Sequence, residues 1–274
     1  DNFETESREL ARLLQRRLDA QSDSVLAVAK LMELASLTRP EDYREAVTPW
    51  LRRYSGTQNF GWSPRVTEAQ RPQFEAEQRA AGRPDFRILG RDPQGKTFAA
   101  PPAADHLPIT LVEPLESNRS VLGLDVLVLP ATSEAVMATQ ISGRPEVTQA
   151  IRLVQETRQQ RGVVMYQAVF HPRPDGSPYG ALKGVVSAVF RMDDVLTAAL
   201  GPVAPQRLQL CLIDPQGRAG NQRLVGAEGC ELQAVAGVRH AGTKVGYSNL
   251  GPQIAIPGPG IGGGGNRGHL ALIS

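Results

Sequence analysis

The sequence predicts an α+β protein in which helices come first and a mainly antiparallel sheet follows. Residues 3–37 contain neither Gly nor Pro, and their apolar side chains recur mostly in steps of three, four and seven. From about residue 86 onward, β-like runs are separated by Gly, Pro and Asp-Gly turn signals. Helices followed by strands, and not a regular alternation of the two, are typical of the α+β class.

The first predicted element is one amphipathic helix, about 50 Å long at 1.5 Å per residue, which Thr38-Arg39-Pro40 ends. Its apolar stripe consists of Leu10, Leu14, Leu18, Val25, Val28, Met32 and Ala35. The stripe is narrow between Leu10 and Leu18, as in a coiled-coil seam or a stalk. We therefore expect Leu10, Leu14, Leu18 and Val25 to mediate a parallel homodimer through this stalk helix. An ordinary packed helix is the alternative.

The remaining elements follow from local patterns. Helices are predicted at residues 41–54, 68–81, 132–139, 146–158 and 192–200. Strands are predicted at residues 60–66, where a turn is the alternative, and at 86–88, 109–113, 163–170, 183–190 and 208–214. The Gly-rich segment 258–268 superficially fits a dinucleotide fingerprint, but a βαβ unit needs about 30 residues and too few follow. We expect a flexible tail there.

Composition excludes several classes of protein. The 274 residues are 41% hydrophobic, enough for a buried core, and 30 basic against 28 acidic residues give a net charge of +2, so nucleic acid is a poor candidate partner. The longest apolar run, Val121 to Leu129, is far shorter than a membrane span and contains Asp125. The chain opens at Asp1 without an initiator Met or a signal-like segment, so we expect any targeting segment to have been removed or to lie outside this fragment.

No motif for catalysis, a metal or a cofactor is present. The sequence lacks GxSxG, HExxH and P-loop patterns, and none of its four histidines adjoins a candidate nucleophile. The acid pairs Asp193-Asp194 and Glu113/Glu116 are typical of helix caps or solvated faces.

Cys211 and Cys230 are either two buried thiols or a disulfide, whose loop of about 19 residues would add roughly 3 kcal/mol of stability in an oxidising compartment.

Asp125 is the most informative single residue. It lies in the middle of the apolar run Val121 to Leu129, where a buried carboxylate costs several kcal/mol unless it is hydrogen-bonded. Two kinds of hydrogen-bond partner are possible for this carboxylate. The carboxylate either accepts backbone amides as the N-cap of a following helix, or it accepts the N–H edge of a bound ligand.

A series of short motifs gives the sequence a family resemblance. In order and approximate spacing it resembles the CHASE domain over about residues 37–200, through Phe60 to Val66, Phe74-Glu75, Phe86 to Ile88, Pro108 to Pro114, Asn118, Leu122 to Asp125, Val154 to Glu156 and Gly162 to Tyr166. CHASE domains are extracytoplasmic sensor modules of transmembrane receptors, including plant cytokinin receptors, bacterial histidine kinases and diguanylate cyclases. Each motif alone is weak, and their ordered succession is fairly specific.

The resemblance implies a stalk helix and two PAS-like lobes, periplasmic in location and anchored by membrane helices on both sides of the segment. The expected boundaries are 1–55 for the stalk and second helix, 56–190 for the membrane-distal ligand-binding lobe, 191–257 for a divergent or incomplete proximal lobe, and 258–274 for the Gly-rich tail. The family's C-terminal strand carries a Trp, whereas Trp50 and Trp62 lie far upstream. An extracytoplasmic location also favours the disulfide between Cys211 and Cys230.

The resemblance further implies a function and a site. The protein would be a non-catalytic sensor of a two-component histidine kinase or a diguanylate cyclase, binding a cytokinin-like adenine derivative or another small ligand. The alternatives are a dimerising periplasmic scaffold without ligand and an unrecognised small-molecule hydrolase. Asp125 resembles the residue that hydrogen-bonds the adenine ring, Val147 and Thr157 resemble pocket positions on the following helix and loop, and Leu111 and Tyr166 would line the pocket from adjacent strands.

Overall fold

The computed structural model describes residues 2–35, 37–130, 132–152, 161–173, 180–201, 209–214, 220, 222–230, 240–244 and 269–273. The helices are α1 (Asn2–Leu34), α2 (Pro40–Arg53), α3 (Arg71–Ala80), α4 (Ser133–Ser142) and α5 (Met192–Leu200), with one 3-10 helix at Glu116–Val121. The strands are β1 (Thr57–Pro64), β2 (Val66–Thr67), β3 (Leu89–Arg91), β4 (Thr97–Ala99), β5 (Asp105–His106), β6 (Leu111–Glu113), β7 (Glu146–Val147), β8 (Ile151–Arg152), β9 (Arg161–Phe170), β10 (Leu182–Arg191), β11 (Gln209–Ile213), β12 (Arg223–Val225), β13 (His240–Lys244) and β14 (His269–Ile273). The predicted α+β class, with a long N-terminal helix and antiparallel sheets, is confirmed.

A six-stranded antiparallel sheet, the large sheet, forms the centre of the fold. Its order is β6-β1-β10-β9-β7, and β8 also pairs with β9. Residues 163–169 of β9 are all buried, which indicates that both faces of the sheet are covered. Neighbouring positions alternate between two cores: Met165 belongs to the core on one face, and Val164 and Tyr166 belong to the core on the other.

Helix α1 packs on the first face of the large sheet and does not stand out as a stalk. Leu10, Leu14, Leu18 and Val25 are at most 3% exposed and belong to the same core as Phe60 and Phe190 of the sheet. The prediction that these four side chains pair between two chains assumed a stripe open to water, and that assumption is wrong. The stripe is narrow because the helix packs within its own chain.

Helix α2 begins and ends as its sequence indicates. Pro40 occupies the first position, Glu41 and Asp42 lie in the first turn, and two arginines lie in the last turn, where they oppose the helix dipole. Its buried side chains, Tyr43 and Val47, join the core of the first face. The helix therefore covers the part of the sheet near β1 and β6.

The second face of the large sheet carries α4 and an irregular layer that we call the roof (residues 107–110 and 123–127). The core here consists of Leu107, Val126, Ala135, Val136, Val164, Tyr166 and Val185. Gly123 has a φ of +83°, and a Cβ there would lie 2.4 Å from the carbonyl oxygen of Arg87, so this position requires glycine. The roof therefore packs closely against the segment that leads into β3.

The region around β7 and β8 differs from expectation. Residues 146–158 were predicted to be helical, but 146–147 and 151–152 are strands that pair with β9. Between them the amide of Thr148 donates to the carbonyl of Val164, and the hydroxyl of Thr148 accepts from the amide of Val164. Pairing with an open sheet edge outweighs the weak helical periodicity of this segment.

A second antiparallel sheet, the small sheet, has the order β12-β11-β14-β13. Cys211 of β11 is bonded to Cys230, with 6.0 Å between their Cα atoms. The expectation of a tail at residues 258–274 does not hold for His269–Ile273, which pair with both β11 and β13. Residues 258–268 lie outside the described part of the chain.

Candidate functional site

Asp125 is completely buried in the roof, and all its hydrogen bonds go to its own chain. Its Oδ1 accepts from the backbone amides of Leu107 and Leu127, each at 3.0 Å, and its Oδ2 lies 2.7 Å from Nδ1 of His106. The N-cap position of α4 is Thr132, so Asp125 is not the cap of that helix. The N-cap alternative is therefore wrong, and the carboxylate braces the roof from within.

His106 joins Asp125 to the surface. Its ring is fully buried, and Nε2 lies 2.6 Å from Oε2 of Glu68, a side chain that is 42% exposed. The hydrogen bond from His106, helped by the amide of Ala103 and the charge of Arg71, holds the pKa of Glu68 below its usual range. The three residues form a continuous hydrogen-bonded series, which we call the Glu68–His106–Asp125 chain.

Four of the five predicted site residues are described, and the structure does not bring these four together. Leu111 and Tyr166 were expected on adjacent strands, but β6 and β9 are separated by β1 and β10. Leu111 and Val147 belong to the core of the first face, and Tyr166 belongs to that of the second. Val147 lies in a strand and not in a helix or loop. Thr157 lies outside the described residues.

Tyr166 and Asp125 do border the same core beneath the roof. The phenol of Tyr166 hydrogen-bonds with Thr132, and burial is the main cause that raises its pKa far above the usual range. The hydroxyl of Thr132 donates to the carbonyl of Val126, at 2.7 Å, next to Asp125. This series of contacts ties β9 to the roof.

Sequence reasoning missed a row of small residues under the roof, which we call the floor (Gly61, Ser63, Val185 and Ser187). Gly61 pairs with Ser187 and Ser63 pairs with Val185, so all four share one face with Tyr166, which pairs with Ser187. A Cβ at Gly61 would lie 2.6 Å from the hydroxyl of Ser187. The alternation of large and small residues in Phe60-Gly61-Trp62-Ser63 is the signal that could have found this face.

Ser63 has an unusual environment on the floor. The residue is 1% exposed, and its hydroxyl has no hydrogen-bond partner in the described part of the chain. A buried hydroxyl without a partner costs about 1–3 kcal/mol. An incoming polar atom on this face would therefore find a donor and acceptor already in place.

Two grooves lie beside α3, away from the floor. One of about 600 Å³ is lined by Arg71, Glu75, Arg79, Pro84, Asp85, Arg87 and Ala99, and one of about 240 Å³ is lined by Arg65, Val66, Gln70, Gln73, Phe74 and Glu77. Arg71 is already bound to Glu75 and to the carbonyls of Ile88 and Ala100. In the larger groove, the guanidinium of Arg71 is thus already held by hydrogen bonds within the chain.

The described residues contain neither a cluster suited to a metal ion nor a helix suited to crossing a membrane. No group of three or more His, Cys, Asp or Glu side chains is arranged to hold a metal ion. No described helix combines the length and the apolar character that crossing a membrane requires.

Comparison with known proteins gives one family and several solved structures. The family model of the CHASE domain matches residues 37–225. No curated protein matches the sequence. Among solved structures, the chain is similar to an extracellular ligand-binding receptor from Desulfohalobium retbaense, with 15% identity and a TM-score of 0.54, over 97% of this chain and 38% of that receptor.

Two chemoreceptor domains are also similar. The ligand-binding domain of the Pseudomonas aeruginosa amino acid chemoreceptor PctC, solved with GABA, shares 13% identity with a TM-score of 0.49 and covers 97% of this chain and 94% of its own. The domain of Pseudomonas fluorescens CtaA, solved with L-serine, shares 12% identity with a TM-score of 0.48 and covers 99% and 96%. At such identities the similarity concerns the fold.

Proposed function

The chain belongs to the CHASE domain family, and we propose that it is the small-molecule-sensing domain of a transmembrane signalling receptor, most simply a two-component histidine kinase. The family match, which covers most of the described lobe, supports the sensory role. In this proposal, helices on both sides of the segment anchor it in the membrane, and the output domain, kinase or diguanylate cyclase, lies outside it. Ligand acts by favouring one arrangement of the domain.

The site we propose lies between the floor and the roof. One observation carries it: Ser63 presents a buried hydroxyl without a described partner on a floor of small residues, and this hydroxyl offers a ligand atom a hydrogen bond to make. Tyr166 lies on the same face. Asp125 acts by holding the roof, where its two oxygens already accept three hydrogen bonds from the chain.

The side chains of the floor and of the core around it favour a ligand that is mainly neutral. The polar atoms of the floor are the hydroxyls of Ser63 and Ser187, and the surrounding core is aliphatic apart from Tyr166. A charged ligand buried there would need a compensating charge. An adenine derivative with an apolar substituent, as the family resemblance implies, meets these requirements. Val147 and Leu111 face the other core and are not part of this site.

The test is a thermal-shift screen of the purified domain with adenine derivatives, organic acids and short peptides, followed by the same screen on Ser63→Ala. A ligand at 100 times its Kd adds about 2.7 kcal/mol of stability, a clear rise in Tm. We expect Ser63→Ala to keep or slightly raise the stability of the free domain, because it removes an unpaired hydroxyl, and to weaken binding by roughly tenfold.

Ser133→Ala is the matched control, since Ser133 is half-exposed at the start of α4, and it should leave binding unchanged. Equal affinity of Ser63→Ala and wild type would remove the floor from the site. A screen without any stabilising compound would count against the sensing function itself.

A second candidate is an interaction scaffold that binds no small molecule. One observation favours it, namely that the carboxylate expected to meet a ligand is held by Leu107, Leu127 and His106. A scaffold would give no thermal shift with any compound, and would instead show self-association or partner binding by analytical ultracentrifugation.

A further inference from the structure

The ring of His106 lies between two carboxylates, with Nδ1 at 2.7 Å from Asp125 and Nε2 at 2.6 Å from Glu68. An ionised carboxylate only accepts hydrogen bonds, whereas a neutral imidazole has one donor and one acceptor nitrogen. A neutral ring would therefore place an acceptor against an acceptor on one side. We infer that His106 is held as the imidazolium and that the Glu68–His106–Asp125 chain is a proton-linked latch between the outer surface and the roof.

The latch joins segments that are distant in sequence. Glu68 lies in the turn between β2 and α3, where its Oε2 also accepts from the amide of Ala103 at 3.3 Å. Asp125 holds the amides of Leu107 and Leu127 in the roof. Since His106 contacts both carboxylates, its ring joins the turn to the roof.

The charges around the ring favour its protonated form. Glu68 and Asp125 are the carboxylates that contact it, from the β2–α3 turn and from the roof. Arg71 of α3 lies 3.7 Å from Oε2 of Glu68 and is itself bound to Glu75. On the paired strands β2 and β5 that flank the ring, Asp105 is neutralised by Arg65 at 2.7 Å. The two ionised carboxylates give the ring a negatively charged environment, and the positive charge of the imidazolium offsets it.

The latch requires the ionised form of Glu68. It opens when Glu68 becomes protonated, and because the pKa of Glu68 is lowered in the folded chain, its contribution is complete above its ordinary value and is lost as the pH falls through the lowered one. An extracytoplasmic domain meets the pH of its surroundings directly. The latch is a property of the folded chain and holds whichever ligand the domain binds.

Nitrogen NMR of the labelled full chain tests the inference. At pH 7 we expect both ring nitrogens of His106 to show imidazolium signals, with the exposed His171 as the internal reference and His106→Gln for assignment. A neutral tautomer of His106 at pH 7 would overturn the inference. In His106→Gln, amide exchange at Leu107 and Leu127 should rise about tenfold relative to wild type while exchange at Val186 in β10 stays the same, and an equal change at all three sites would contradict the latch.

A matched pair of variants separates the latch from a general charge effect. Glu68→Gln replaces one carboxylate that faces the ring by a neutral amide and should bring the signals of a neutral tautomer into the pH 7 spectrum of His106. Glu116→Gln, which removes an exposed carboxylate paired with Arg119, should leave the His106 signals unchanged. Equal behaviour of the two variants would show that Glu68 does not hold the proton.

Discussion

At the scale of single residues, Asp125 decides how tightly the roof is held. Its removal leaves the buried amide of Leu107, the partly buried amide of Leu127 and one ring nitrogen of His106 without this acceptor. A buried polar group without its partner costs about 1–3 kcal/mol, and the loss of one member of a buried ion pair costs about 3–5 kcal/mol. The residue is therefore a structural brace first, whatever its part in ligand binding.

We predict that Asp125→Ala lowers the free energy of unfolding by at least about 3 kcal/mol, measured by urea denaturation. Asp85→Ala, at an exposed position outside the roof, should stay within about 0.5 kcal/mol of wild type. If Asp125→Ala is as stable as wild type but binds the ligand more weakly, the result would instead favour a direct contact between Asp125 and the ligand.

The sequence indicated that Asp125 needs a partner, but it could not supply the partner's identity. His106 lies 19 residues away in sequence and reaches Asp125 only because β5 and the roof are brought side by side. The floor was missed for a similar reason. Gly61 and Ser187 are neighbours only through strand pairing, and neither is unusual in its own segment.

At the scale of elements, the C-terminus of α1 depends on a residue from the sheet. The last turn of α1 contains no basic residue. Nζ of Lys183, the second residue of β10, lies 2.6 Å from the carbonyl oxygen of Met32 and 3.4 Å from that of Glu33. A cation at this end opposes the helix dipole and satisfies carbonyls that have no partner within the helix. The contact also fastens the long helix to the strand that contains part of the floor.

We predict that Lys183→Met lowers the free energy of unfolding by about 1–2 kcal/mol and speeds amide exchange in the last turn of α1. Lys30→Met is the matched control, because Lys30 is exposed and pairs with Glu33 on the same helix, and such an exposed pair is worth at most about 0.5 kcal/mol. If both variants lose the same stability, the C-terminal carbonyls of α1 do not depend on Lys183.

Long elements were predictable and short ones were not. Helix α1 and strands β9 and β10 have enough residues for their periodicity to be read, and their predicted bounds agree with the structure within a few residues. The two-residue strands β2 and β5 carry no periodicity of their own. The sequence also could not show which surface the apolar stripe of α1 contacts. A narrow apolar stripe has the same sequence pattern whether it packs within one chain or between two chains.

At the scale of the whole molecule, one core joins the two sheets. Leu14 of α1, Phe190 of the large sheet and Leu212 of the small sheet belong to the same cluster of buried side chains. With that stripe buried, the side of α1 left to solvent carries charged residues such as Arg12, Arg16 and Lys30. Leu31 and Leu34 at the C-terminal end of α1 are also exposed, so a dimer through α1 would use this exposed side and not the buried stripe. A shared core also predicts that a change in the small sheet alters the stability of the whole.

The disulfide tests this coupling. It joins Cys211 of β11 to Cys230, and its loop of about 19 residues is worth roughly 3 kcal/mol. We predict that the unreduced, denatured protein contains no titratable thiol, and that Cys211→Ser lowers the free energy of unfolding by about that amount in a single transition, because the core is shared. Reductant should destabilise the wild type and leave the Cys211→Ser/Cys230→Ser double variant unchanged. Two free thiols in the unreduced protein would show that the bond does not form, and two separate unfolding transitions would show that the sheets unfold independently despite their common core.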